Sequence, residues 1–440
     1  MSEPHAGLIS PLLTIAGELA RRGVPGLWFA SSDDRQADVE SIPGASPVRF
    51  VSVGPAEPAL SPASWDDETY ARVNSPSRVG SFLAFLNEAV RRTHSEGRYE
   101  QTLAAIDKIR PALIVVDVHS QSGLDAAMTR GVPYVVNIAT PVSYVFPGKV
   151  PLRYPAALSG LPLRMTPRQH AANLLFKLAQ AAALLQPSHA ARNIAFFRRR
   201  QAQGIKNPMA IPSVYAEAAA AVIGNSVFGI EYPFPNVPEH LSMLGTMVPV
   251  MRQDTAPYQD LFDWLDAHES VVYIGLGTMM RTSRRQTDAI VEAVARVGPD
   301  RHVLWTMPLS QQDRLPAELP PNLRIESWVP QTEIVAHPHV RVFLTHGGNG
   351  AHHGLYFGKP LLVLPHSWET RDLAVRLVEG GATLMVDDVR GVTADELVDK
   401  LSRLTGDATF ARSAAQWQRR LRDAGGVSAA ADLILRTRAG

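Results

Sequence analysis

The residues with chemistry to offer fall into two groups. The richer one lies between positions 328 and 370, where Trp328, Pro330-Gln331, the run Thr345-His346-Gly347-Gly348-Asn349-Gly350, the turn Gly358-Lys359-Pro360 and the pair Glu369-Thr370 follow one another. An imidazole beside glycines suits an anion. Its ring N–H donates, glycine lets the backbone approach closely, and amides left free at a following helix start carry partial positive charge. Thr278, after the apolar run 271–276, would add a hydroxyl donor. The second group is Asp117, at the end of the run 112–117, with His119 and Ser120 behind it, and the separate His5 near the start of the chain. Carboxylate and imidazole together are the materials of general-base catalysis.

Each group sits where an apolar run gives way to glycine or polar residues, the pattern of a buried parallel strand emptying into a turn. Residues 340–345 (VRVFLT), 360–365 (PLLVLP), 271–276 (VVYIGL) and 112–117 (ALIVVD) predict the strands that carry His346, Glu369, Thr278 and Asp117. Further strands are expected at 27–30, 48–53, 134–138, 220–224, 241–244, 302–306, 323–326 and 384–386, with helical patterns between most of them. The first helix is predicted over 11–22: Leu12, Ile15, Ala16 and Leu19 share a face, Ser10 serves as N-cap, Pro11 suits the first turn and Gly23 stops it. About nine residues precede it, broken by Pro4 and Gly7, so the strand expected there is either vestigial or lies ahead of the chain as given. Residues 140–211 change character to proline-rich loops and alanine-rich helices, an insertion of the kind that builds an acceptor pocket, with helix packing expected to absorb most of its apolar side chains. A polar, proline-containing connector at 249–257 marks the boundary between two α/β domains.

Composition narrows the class. With 440 residues there is length for two separate cores, and a net charge of +1 argues against a dedicated nucleic-acid binder. The sequence contains no cysteine, which removes disulfides, thiolate metal sites and cysteine nucleophiles. No apolar stretch reaches the length of a membrane span, and the first residues lack a secretory pattern, so a soluble cytoplasmic protein is expected.

The order Trp-x-Pro-Gln, a gap of about fifteen residues, Thr-His-Gly-Gly, Gly-Lys-Pro and an acid four places after Pro365 resembles the donor-binding signature of the family 1 glycosyltransferases, which include the UDP-glucuronosyltransferases. The resemblance implies a GT-B architecture, two facing Rossmann-like domains with a deep interdomain cleft. Their expected bounds are an acceptor-binding domain 1–248, a linker 249–268, a nucleotide-sugar domain 269–424 and a closing helix 425–440 that crosses back to the first domain. It further implies that Trp328 stacks on the base, that Val329 and Gln331 read base edges, and that Thr278, His346, Gly348, Asn349 and Gly350 hold the diphosphate without a metal. Glu369, with Thr370 where many members carry Gln, would bind sugar hydroxyls. The family's ribose-binding Glu falls on His353, and the turn after His346 is one residue short; the His352-His353 pair meets another anionic group or is simply exposed surface.

The family's base is a histidine three residues before the proline of the first helix, and that position holds Leu8. Asp117 occupies the place of the partner acid. The candidates for the base are therefore Asp117, acting directly or through a water and placed first, then His119 and His5. The expected reaction is inverting, metal-independent transfer of a hexose from a UDP-linked sugar to a small lipophilic acceptor, with no cofactor beyond that co-substrate. The alternative is a catalytically impaired relative that binds nucleotide or a partner and regulates another transferase. Acceptor, sugar, linkage atom and oligomeric state are left open.

Overall fold

The computed structural model describes residues 1–56, 65–92, 97–252, 254–277, 280–298 and 300–439, so Thr278 lies outside the described residues. The chain forms two compact units, Met1–Pro249 together with Ala424–Gly440, and Val250–Asp423.

In the first unit β1 (Leu27–Ser31) pairs in parallel with β2 (Val48–Ser52), while β3 (Ile114–Asp117), β4 (Tyr134–Ile138), β5 (Ala221–Gly224) and β6 (Leu241–Met243) form a parallel sheet in that order. Both faces of this sheet are covered. Val116, Val136 and Val222 enter one core and Val135, Ala221 and Ile223 the other, which is why these strands read as unbroken apolar runs.

Backbone from the first two residues fills the slot between the two sheets. The Met1 amine donates to Val115 O (2.8 Å), Met1 O accepts from Asp117 N–H (3.1 Å), and Ser2 N–H donates to Ala30 O (3.2 Å). Two residues thus bridge β1 and β3, where a Rossmann half places its first strand.

The first helix runs Ala6–Arg21 with His5 as N-cap, and Pro11 lies inside it, which corrects the expected start at Pro11 with Ser10 as cap. Pro11 forfeits one hydrogen bond to Gly7 O, a carbonyl whose residue carries no side chain. Burial of Ile9, Leu12, Ile15 and Leu19 against β3–β5 offsets that loss. The closing helix Gly426–Ala439 adds Ala430, Ala431 and Ile434 to the same core, and Arg22 clamps it through Asp432 (2.5 Å) and the Ser428 hydroxyl (2.8 Å).

The second unit is one parallel sheet ordered β12-β11-β10-β7-β8-β9. These strands are β7 (Val271–Gly275), β8 (His302–Thr306), β9 (Leu323–Glu326), β10 (Val340–Thr345), β11 (Leu361–Val363) and β12 (Thr383–Met385). The order winds one way from β7 to β9 and the other from β10 to β12. The reversal falls between β7 and β10, and doubly wound sheets bind ligands beyond the strand ends at that point.

The insertion departs most from expectation. Helix Pro167–Leu185 opens with a Thr166/Gln169 capping box and places its polar residues inward: Asn173 accepts from Ala156 N–H (2.8 Å), Lys177 Nζ donates to Tyr154 O (2.7 Å) and Gln180 Nε2 donates to Ala157 O (3.1 Å). Leu174, Leu175, Leu178, Leu184 and Leu185 point outward, Leu175 being 66% and Leu185 78% exposed. Packing buries Leu161, Phe176 and Ala183 but leaves these five leucines outside, because the loop 152–157 needs its carbonyls and amides paired and takes the polar face of the helix for itself.

Candidate functional site

At the reversal point, the residue after β10 meets the turn after β7. A Cβ on Gly277 would lie 2.6 Å from His346 Cε1, and a Cβ on Gly348 2.5 Å from His346 Nε2, so the imidazole is held between two glycines whose missing side chains make its space. Gly277 and Gly347 have φ of +74° and +90°, conformations that side chains disfavour. Burial lowers the His346 pKa to about 4. The ring is neutral near pH 7, so what it has to offer is a hydrogen bond rather than a charge. Its Nδ1 is buried with no partner. Gly348 is also the N-cap of helix Asn349–Tyr356 and supplies no side-chain cap, so the first-turn amides around Asn349 and Gly350 face the same bend.

A second histidine that the sequence reading did not single out belongs to this region. His366 precedes Ser367, the N-cap of helix Trp368–Glu379; its Nε2 is buried without a partner, and burial, with His346 nearby, lowers its pKa to about 3. The available signal was its position, three residues before Glu369 at the end of a buried strand.

Glu369 is exposed in the first turn of that helix, where a carboxylate is favoured by the helix dipole. Thr370 differs from its expected role: its hydroxyl accepts from Ser367 N–H (3.0 Å) and donates to Ser367 O (3.0 Å), so it caps the helix. Trp328 is 52% exposed, with Tyr258 at 5.4 Å and the Arg252 guanidinium at 5.5 Å, and Val329 beside it is buried. The Gln331 Oε1 accepts from the Tyr273 hydroxyl (3.3 Å), which fixes the side chain and takes up its oxygen, while its Nε2 lies toward Gly350. His352 is 5% exposed with its pKa lowered by burial to about 4, and His353 is half-buried. The pair is not exposed surface, because the helix turns His352 into the interior.

Among the described residues, Asp266, His337 and His339 also lie close enough to share an ion, at the opposite end of β10 from the glycine bend. His337 is already engaged there, its Nδ1 accepting from His339 N–H (3.3 Å) and its Nε2 lying 3.2 Å from Asp266 Oδ1.

In the first unit, Asp117 is 0% exposed at the end of β3. A carboxylate so placed cannot touch an acceptor, which corrects its expected rank as the direct base. Its Oδ1 accepts from His119 N–H (2.8 Å) and lies 3.2 Å from His119 Nδ1. A carboxylate can only accept, so that contact puts the proton on Nδ1 and the ring's lone pair on Nε2. The His119 side chain is 45% exposed. His5, by contrast, gives its carbonyl to Leu8 N–H (2.8 Å) and Ile9 N–H (2.9 Å) as the helix N-cap.

Asp117 Oδ2 has no partner, and neither do the side-chain amides of Asn137 and Asn225, all buried at the same end of β3, β4 and β5. Sequence reading missed both asparagines. A polar residue within or directly after an otherwise apolar strand was the signal.

Two Rossmann-like units with a glycine-bound imidazole at the second one's reversal point define the GT-B class of fold. Solved structures agree: the glycotransferase of kitacinnamycin aligns with a TM-score of 0.70 at 22% identity, over 99% of this chain and 97% of that one. Os79 from O. sativa, solved in complex with U2F and trichothecene, aligns with a TM-score of 0.66 at 18% identity, over 99% and 98%. The chain belongs to the UDP-glucoronosyl and UDP-glucosyl transferase family, whose model matches residues 118–422.

Among curated relatives, UDP-glucosyltransferase 2 of Dactylopius coccus is 30% identical over 191 residues, 42% of this chain and 35% of its own length. UDP-glucuronosyltransferase 2A3 of Cavia porcellus is 24% identical over 332 residues, 73% and 60% of the two chains. The chain thus spans less than two thirds of the length of these relatives. The matched span holds His119 and every candidate donor residue, and stops one residue short of Asp117.

Proposed function

We propose that this chain transfers a hexose from a UDP-linked sugar to a nucleophile on a small lipophilic acceptor, in one inverting displacement without a metal. The observation that carries the reading is the His346 imidazole, fixed between Gly277 and Gly348 with a buried nitrogen that has no protein partner. A diphosphate oxygen supplies that partner and takes up the amides at the start of helix Asn349–Tyr356. Exposed Trp328 offers a face to the base, and exposed Glu369 offers acceptors to sugar hydroxyls. Donors fixed before the reaction stabilise the charge that builds on the leaving diphosphate, which is where such groups contribute most.

The base is His119. Its Nε2 removes the acceptor proton as the acceptor atom attacks the anomeric carbon and the bond to the diphosphate oxygen breaks. The imidazolium that forms is stabilised by Asp117 Oδ1. The histidine missing at position 8 is thus replaced from the strand that already carries its acid.

UDP titrated into the whole protein by calorimetry, wild type against His346→Ala, tests the donor half. Equal affinity in both ends the reading. A second reading, binding without transfer, is favoured by Leu8 in the family's base position. It gains if UDP binds but a panel of phenolic and other lipophilic acceptors never releases UDP from UDP-hexose.

A further inference from the structure

The insertion in the first unit has an unusual charge balance. From Asp125 to Glu217 there is no acidic residue between those two, while eleven lysines and arginines fall in the same stretch. Three of them are neutralised by carboxylates: Arg130 by Asp107, Lys149 by Glu217, and buried Arg200 by Asp125. The other eight, among them exposed Arg153, Arg168, Arg198 and Arg199, form no ion pair with a carboxylate among the described residues.

The same stretch exposes its leucines. Helix Pro167–Leu185 turns Asn173, Lys177 and Gln180 inward and presents Leu174, Leu175, Leu178, Leu184 and Leu185 outward. Leu152, 79% exposed, continues the strip across a groove of about 460 Å³ shared with Leu174, Arg153 and His170. Helix Pro187–Ala202 follows directly at Gln186 and exposes Ile194 with Arg198 and Arg199.

An enclosing pocket buries most of a small ligand's surface, and leucines more than half exposed do not enclose one. A second copy of the chain would bring like charges together around the strip. A surface both apolar and uncompensated in positive charge is matched by a lipid bilayer with anionic headgroups, which accepts leucines below the headgroup level and pairs with arginines at it. We infer that the two helices Pro167–Leu185 and Pro187–Ala202 dock the first unit on an anionic membrane surface. This goes beyond the transfer reaction and does not depend on it.

Co-sedimentation of the whole protein with vesicles of phosphatidylcholine, alone or with about a third phosphatidylglycerol, tests the inference. The anionic vesicles should bind at least tenfold more tightly, and raising salt from 0.1 to 0.5 M should reverse most of the gain. Leu174→Asn/Leu175→Asn/Leu178→Asn should lose binding with an unchanged circular-dichroism melt. Arg198→Glu/Arg199→Glu, which leaves the leucines in place, should lower it at least tenfold, since each surface arginine contributes roughly fivefold. Equal binding to neutral and anionic vesicles, or no binding to either, overturns the inference. So does a concentration-dependent dimer that the leucine variant abolishes, which would assign the strip to a second copy.

Discussion

The ends of β10 and β3 are topologically alike and chemically opposite. Each is the mouth of a parallel strand that opens into a turn and a helix. At β10 the missing side chains of Gly277 and Gly348 make room for one neutral imidazole beside a helix start with its amide donors. At β3 it buries a carboxylate completely and lets it hold the next available imidazole in a single tautomer. On the function proposed above, one mouth gives hydrogen bonds to an anion and the other takes a proton. The same histidine side chain would then do opposite jobs, because glycine surrounds it in one place and a carboxylate stands behind it in the other.

The contrast can be broken most severely at β3. His119→Ala should lower turnover about 10²–10⁴-fold and leave UDP affinity unchanged, measured by UDP release and by calorimetry. Asp117→Asn should act in the same direction while its backbone bonds persist. A large loss of UDP affinity in either variant would mean that the two mouths do not divide the work as described. At β10 the expected effect is smaller and of the other kind: Gly348→Ala pushes a Cβ to within 2.5 Å of His346 Nε2, and UDP affinity should fall about 10- to 100-fold, the worth of a hydrogen bond to a charged group.

Acidification sharpens the same difference. His346, His352 and His366 all titrate below 6.5 in the folded chain, at about 4, 4 and 3, because burial resists their charge. The unfolded chain binds those protons first, so the second unit's stability is full above pH 6.5 and is lost as pH falls toward 4 and 3. Calorimetric melts at pH 7.5 and 4.5 should show the drop. His352→Asn should remove a part on the order of 3 kcal/mol at most, the conversion of its own shift.

The central strand runs were legible because β4, β5, β7 and β11 are buried along their whole length, and continuous apolar sequence has few other uses. The glycine bend was legible for a similar reason: glycines clustered after a strand have a narrow set of explanations. The pairing of His119 with Asp117 was visible only as a candidate, since two residues across a strand end meet or diverge according to a turn that periodicity does not encode. Pro11 was misplaced because the rule that starts helices at proline gave way to the apolar face running back to Ile9. The outward leucines of helix Pro167–Leu185 were not legible because an alanine- and leucine-rich run carries no direction; Asn173 and Gln180 settle which side faces in, and only the partners in the loop 152–157 reveal it.

The first unit takes its last structural piece from the far end of the chain, since Ala430, Ala431 and Ile434 complete the core begun by Ile9 and Leu12. During synthesis the ribosome makes the whole of the second unit, Val250–Asp423, before that piece exists. At roughly 5–20 residues per second the earlier half waits many seconds with an apolar flank uncovered, while the later half has all its own residues in one uninterrupted segment. Birth order and maturation order of the two units are therefore inverted: the unit begun earlier is finished later, and loss of the helix Gly426–Ala439 would injure the core around Ile9 and Leu12 rather than Val250–Asp423.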